Sequence, residues 1–370
     1  MFTSTKNERI TQLLNEWYIE IRSRHLEEAQ RLKEQIDVQI MRLKDETNES
    51  TQNQNLLLYY SLLDFRYNYL VDNLNVSKDS FDTIESFTIP ADNFISYYYH
   101  FFKAIHSDAV GNYMLAKDHY YKAESLLQYI PDEVEKAEFY YKLGYSHYDN
   151  QQALQAIKEV TKAKDMFSNH TGYEINIAFC DNILGLACTD LKEWELAEEH
   201  FAAAMDQFQK IGEENFILIV RHNLGWLYAN QNLSDLAIRY LSEVVEKTPK
   251  QYRAIYVKAK EHYKLKEYGK AAELIEDGLE ICNEIQNEGY QQHFKILRAL
   301  NNNVSAEELE KIIIKGILYF EREELYEYKQ EYEEKLAIKF YEENQHNTAS
   351  QYFYAGLQSR KKSLDKGALK

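Results

Sequence analysis

Asn182, Asp190 and Asn223 have the chemistry to hold a peptide. A side-chain amide both donates and accepts, so Asn182 and Asn223 can bind the C=O and N–H of an extended backbone. A carboxylate at Asp190 takes an arginine or lysine of the ligand by a charge-assisted hydrogen bond. Tyr148, Trp226 and Tyr263 add aromatic surface, and Tyr145, Asp149, Leu186, His222 and Tyr256 share the same register. The plain alternative is a solvated inner face with no ligand; the mixture of amides, acid and aromatics favours peptide recognition. No HExxH, CxxC, GxSxG or P-loop occurs, so neither a metal site nor a nucleophile is expected. His100 in YYYHFF reads as a packed helix residue, and the run EYKQEYEEK (327–335) as a solvated helix face.

These residues share a register because the chain repeats. Gly185, Ala197, Phe201 and Ala204 are matched 40 residues on by Gly225, Ala237, Leu241 and Val244. This is the position 8, 20, 24 and 27 spacing of a tetratricopeptide unit, two helices packed through small residues. Further copies are Ala104/Ala116/Tyr120/Ala123, Gly144/Ala156/Val160/Ala163, Ala259/Ala271/Ile275/Gly278 and Ala337/Ala349/Phe353/Gly356, with a degenerate unit over 287–324. Each unit leaves an apolar flank open, so the units stack into a solenoid whose first helices line the concave wall. Positions 2, 5, 6, 9, 12 and 13 of those helices carry the residues named above.

Ahead of the repeats, Ile10, Leu13, Leu14, Trp17, Tyr18 and Ile21 form one helical stripe, and Leu26, Ala29, Leu32, Ile36, Ile40 and Leu43 a second. DETNESTQN (45–53) has no apolar side chain and reads as a loop. A very apolar third helix starts near Gln54. Three such helices are expected to close as a small antiparallel bundle without help from the repeats. The division is then 1–73 for the bundle, 74–90 for a linker ending at Pro90, and 91–370 for the repeats.

Composition agrees. Only 12 Gly and 3 Pro in 370 residues are too few for a protein of many strands, so the class is all-α. The 31 Tyr suit a thin solenoid whose rings pack while their hydroxyls stay wet. A net charge of −17 repels phosphate backbones and argues against nucleic acid as a partner. No run approaches a membrane span, and MFTSTKNERIT has no apolar signal core, so a cytoplasmic location is expected. Cys180, Cys188 and Cys282 fall within helical patterns and read as small apolar side chains.

Four stretches resemble a known family: LNEWYIEIRSRHLEEAQRLK (14–33), QNLLLYYSLLDFRYNYL (54–70), EVEKAEFYYKLGYSHY (133–148), and the repeats with TDLKEW (189–194) and RHNLGWLY (221–228). The chain is similar over nearly its full length to the Rap family, aspartate phosphatases and regulator-binding proteins controlled by Phr signalling peptides. The resemblance implies a three-helix bundle, a linker and a right-handed superhelix of about seven repeats. Bundle and linker would grip a response regulator. Gln54 would orient water against the partner's aspartyl phosphate, which a neutral amide can do without repelling the phosphoryl charge. Leu57 and Phe65 would touch the regulator. Asp190 matches the family's acid for a basic peptide side chain, Asn223 its backbone clamp, and His293 a position that is acidic in some members. Asn53 and Asn55 stand where the family often has acidic residues. No cofactor is implied in the protein itself, and Mg2+ is expected on the regulator. The same resemblance also covers members that only sequester a regulator's DNA-binding domain or a mobile-element regulator, without catalysis.

Overall fold

The structure, a computed structural model, describes residues 2–45 and 51–368, with side chains described for 7–44 and 53–368. Helices α1 (Phe2–Ser23), α2 (Leu26–Asp45) and α3 (Thr51–Val71) come first, and a short α4 (Asp82–Glu85) follows. Seven antiparallel pairs succeed them. They are α5 (Asn93–Ala109) with α6 (Tyr113–Leu126), α7 (Glu133–Asp149) with α8 (Ala153–Ser168), and α9 (Glu174–Asp190) with α10 (Trp194–Ile211). Then come α11 (Glu214–Asn230) with α12 (Ser234–Lys247), and α13 (Tyr252–Lys264) with α14 (Tyr268–Glu284). The last two are α15 (Glu288–Asn301) with α16 (Ala306–Arg322), and α17 (Tyr326–Glu342) with α18 (His346–Gly367). The degenerate 287–324 stretch thus folds as a full unit. Of the expected loop over 45–53, residues 46–50 lie outside the described residues, while α3 already starts at Thr51.

The small positions show why the pattern repeats. A Cβ added at Gly144, Gly185 or Gly225 would fall 2.4 Å from Val160, 2.7 Å from Phe201 or 2.6 Å from Leu241. Position 8 is therefore small to admit the position 24 side chain of its own unit. At position 27, a Cβ on Gly278 would sit 2.1 Å from Phe294 of the next unit. The turn between the two helices of each unit is equally regular. One residue there takes positive φ: Gly111, Gln151, Lys192, Asn232, Lys266, Asn303 and Asn344 in turn. At a non-glycine this costs roughly 1 kcal/mol, which the packing of the flanking helices outweighs.

The N-terminal helices do not close on their own core. Leu14, Trp17, Ile21, Leu62 and Leu63 share one buried cluster with Tyr97, Phe101, Phe102 and Phe139 of the first two repeats. Val76, Phe81 and Ile84, from the segment between, fill the same core. The apolar stripes of α1 and α3 are wider than two bundle partners can cover, and α5 takes the remainder. Nor are the tyrosine hydroxyls generally wet. Tyr18 and Tyr97 both donate to Glu135 Oε1, at 3.0 and 2.9 Å, and Tyr319 donates to the Gly111 carbonyl at 2.8 Å. Cys180, Cys188 and Cys282 are free and buried.

Candidate functional site

The concave wall brings most of the expected peptide residues together. Asn223 Nδ2 on α11 donates to Asn182 Oδ1 on α9 at 2.8 Å, with both side chains buried. That pairing uses one donor and one acceptor, leaving Asn182 Nδ2 and Asn223 Oδ1 for a ligand backbone. Asp190, at the end of α9, is exposed to the groove. The enclosing walls, and next Glu327, push its carboxyl up to about 8 against the pull of Trp226. Trp226 Nε1 is buried and directed at that carboxyl, while His222 Nδ1, one turn earlier on α11, is buried without a hydrogen-bond partner. Burial, and then Arg253, lowers the His222 imidazole to about 4 and keeps it neutral. Tyr148 on α7 is half-buried, with Asp190 among its charged neighbours.

Tyr263 stands elsewhere. It lines a separate hollow of about 170 Å³ with Leu300, Val304, Lys335 and Lys339. Tyr256 is drawn into an aromatic floor with His293 and Tyr332, where His293 Nδ1 lies 2.5 Å from the Tyr332 hydroxyl. Burial lowers the His293 imidazole to about 3. The acidic run 327–335 is not simply a solvated face: Glu333 is buried and accepts from Ser359 at 2.6 Å, and Glu331 pairs with Lys260 at 2.9 Å. Tyr328 and Tyr332 turn inward between those acids because the run winds past the groove floor. His100 packs in its helix as expected, its Nδ1 3.0 Å from that of His119.

One groove residue escaped the sequence reading. Arg253 on α13 meets Asp149 on α7 through two contacts, 3.2 and 3.3 Å, and donates to the Tyr145 hydroxyl at 3.1 Å. This fork-to-carboxylate pair crosses the groove between the second and fifth repeats. The signal was present, since Arg253 occupies position 2 of its repeat.

On α3, Gln54, Leu57, Ser61 and Phe65 form one stripe. Exposure falls along it, from exposed Gln54 through half-buried Leu57 to buried Phe65. Gln54 and Phe65 are 11 residues apart, roughly 16 Å along the helix. Phe65 packs edge-on against Phe81, with ring centroids 5.1 Å apart, and against His106 of α5. Asn53 Oδ1 accepts from Asn7 of α1 at 3.1 Å.

Below this stripe, charged side chains lock the N-terminal helices to the repeats. Arg22 reaches Asp132 at 2.8 Å and Glu135 at 3.2 Å. Arg66 reaches Glu138 at 2.7 Å, and Arg24 faces the same carboxylate at 3.6 Å. Arg24 has φ 63°, and that left-handed turn after α1 sends its guanidinium over the Phe179 ring. Burial raises the Glu135 carboxyl despite Arg22. At Glu138 burial acts upward too, but Arg24, Arg66 and Lys142 outweigh it and hold the carboxyl low.

Against known proteins, the family model for the N-terminal part of response regulator aspartate phosphatase H matches residues 4–72, and a tetratricopeptide repeat model matches 175–250. Response regulator aspartate phosphatase A of Bacillus subtilis (strain 168) is 26% identical over 369 residues, covering 96% of this chain and 94% of its own. Response regulator aspartate phosphatase H of the same organism is 25% identical, covering 99% and 98%. By these matches the chain is similar to the Rap family over nearly its full length. Among solved structures, a Rap protein complexed with competence and sporulation factor superposes with a TM-score of 0.79 at 23% identity, over 97% of this chain and 99% of the other. The peptide-free form of RapI, also 23% identical, gives 0.53 over 98% and 99%. Both share the Rap fold. Among the described residues no three metal-ligating side chains converge, and no helix is long and apolar enough to cross a membrane.

Proposed function

We propose that this Rap-like chain binds a bacterial response regulator through α3 and its neighbours, hydrolyses the regulator's aspartyl phosphate, and is controlled by a short peptide in the repeat groove. What carries the reading is the match over 4–72, backed by near full-length likeness to proteins named response regulator aspartate phosphatases. Gln54 supports the chemistry. It stands exposed near the start of α3, where its amide can hold a water in line with the phosphorus. The water oxygen bonds to phosphorus as the bond to the aspartyl oxygen breaks, releasing inorganic phosphate and a free carboxylate. The magnesium ion for this step would be held by the regulator.

Control follows from Phe65. In the docked arrangement its ring is covered by Phe81 and His106, so a regulator needing Phe65 meets a closed surface. In the groove, Asp190 takes a basic peptide side chain, and Asn182 with Asn223 takes its backbone. A peptide that favours the docked arrangement thereby inhibits.

Decay of a phosphorylated response regulator, with the wild type and with Gln54→Ala, tests the reading. Acceleration lost in Gln54→Ala, with regulator binding kept, supports it. Binding without acceleration by the wild type overturns the hydrolase and leaves sequestration of the regulator.

A further inference from the structure

The hollow that Tyr263 lines lies between α13, α15, α16 and α17, away from Asp190. Much of its lining is apolar. Ala299 and Leu309 are buried, Leu300 and Val304 are half-buried, and Ile338 is 49% exposed. Its volume of about 170 Å³ is the liquid share of roughly five or six waters, room for one side chain.

Two lysines of α17 stand on the same lining, and they differ in how well they are paired. Lys339 Nζ donates to Asn303 Oδ1 at 2.9 Å and lies 3.2 Å from Glu343. Lys335 Nζ is 3.5 Å from Glu331 Oε1, an oxygen that Lys260 holds closer, at 2.9 Å. Burial first, with Lys260 and Lys264 adding to it, keeps the Lys335 ammonium below its ordinary value although Glu331 pulls the other way. Glu342, the acid on the lining, is exposed. A half-buried cation that shares its carboxylate with a second lysine gains from an added anion.

Helix α17 gives the distance from this cation to the Asp190 site. Glu327, in its first turn, is close enough to Asp190 to raise that carboxyl. Lys335 comes eight residues later, roughly 12 Å along the helix. An extended peptide covers that distance in three or four residues, at roughly 3.3 Å each. We infer that the hollow receives the carboxyl end of the groove peptide. Its last side chain, an apolar one, rests on Leu300, Val304 and Ile338, and its terminal carboxylate meets Lys335. Tyr263, whose hydroxyl burial keeps protonated, stands ready to donate to the same group. With a cation at Asp190 and an anion at Lys335, the peptide runs in one direction only, its basic residue three or four positions before its end. The inference rests on the proposed peptide control and not on the hydrolase.

A small acid tests the hollow without any peptide. Isocaproate carries the leucine side chain and a carboxylate, and isocaproamide has the same shape without the charge. By saturation-transfer NMR on the full chain, the acid is expected to bind with roughly millimolar affinity. The amide should bind roughly tenfold more weakly. Lys335→Met should reduce the acid to the level of the amide, and Leu300→Phe, which fills the hollow, should abolish both. Equal binding of acid and amide, no binding of the acid, or acid binding unchanged in the two variants overturns the inference. The acid–amide comparison uses the unaltered chain, so it decides even where a variant fails to fold. Pentapeptide pools, randomised around one arginine and ending in leucine as free acid or as amide, then test the occupant. Capture of the free-acid pool roughly tenfold over the amide pool, lost in Lys335→Met, supports it. Equal capture overturns the carboxyl-end assignment and leaves peptide control standing. Capture of neither pool, beside normal isocaproate binding, overturns peptide control and this occupant together.

Discussion

Two polar regions flank α7, and they are built on opposite terms. At its N-terminal end Arg22, Arg24 and Arg66 from the bundle face Asp132, Glu135 and Glu138 from the repeats, each carboxylate against a guanidinium. At the other end, the groove carries Asp190, with Trp226 as its polar neighbour and no cation opposite it among the described residues, and His222 Nδ1 with no hydrogen-bond partner. The first region has supplied its own counter-charges, although Arg22 Nε, Arg66 Nε and Glu138 Oε2 make no hydrogen bond there. The second is complete only with something added. Buried polar atoms are costly unless paired, so where pairing is missing a ligand is the natural partner.

The largest way to break this contrast is Glu138→Ala. It leaves Arg24 and Arg66 buried without a counter-charge, and the expected loss is about 3–5 kcal/mol in chemical denaturation. Glu138→Gln should cost less, because an amide still accepts. A loss under about 1 kcal/mol for the alanine variant would mean the arginines reach water without undocking. Asp190→Asn is the mirror case. Global stability should stay within about 0.5 kcal/mol, as for an exposed site. Affinity for an arginine-containing synthetic pentapeptide, read by calorimetry, should fall by about 1.5–3 kcal/mol. Equal loss for a peptide without a basic residue would show that Asp190 does not read charge.

Acid sharpens the same comparison with a smaller effect. His222 at about 4 and His293 at about 3 both lie below the ordinary imidazole value. Folded, they bind fewer protons than unfolded between pH ~6.5 and ~4. Stability therefore rises with pH across that window and is lost on acidification, on the order of 2–3 kcal/mol for buried His293 near pH 4.5 and less for half-exposed His222. Glu138, held low, keeps its charge to a lower pH than an ordinary carboxylate, so its pairs with Arg24 and Arg66 should outlast the groove wall, whereas Glu135, raised by burial, should release Arg22 earlier. His293→Gln should flatten the melting-temperature profile between pH 6.5 and 4.5. A profile as steep as the wild type's would move the acid sensitivity elsewhere.

Much of the groove was legible because its residues follow the repeat register. Asn182, Asp190, Asn223 and Trp226 could be placed on one wall from the small positions alone. Arg253 sat in the same register and went unread, because its meaning depends on Asp149, 104 residues earlier. Glu135 and Glu138 were visible in EVEKAEFYY only as part of a resemblance, since nothing local marks a glutamate on an amphipathic helix as buried. Glu333 failed for a related reason: a charge run looks solvated until the fold lays a hydroxyl and a neighbouring helix over one member of it.

The amino-acid sequence by itself determined the helical pairs, their number and the wall they present. Those depend on close packing within a unit and with the next, where a glycine opposite a phenylalanine is a steric demand readable over some 16 residues, as from Gly185 to Phe201. Tertiary structure alone decided that the superhelix closes on itself, that α3 buries Phe65 while leaving Gln54 in water, and that Arg22 finds Glu135 from 113 residues away. Such pairings depend on the small rotation between successive units summed over the whole array, and no short stretch of sequence holds that sum.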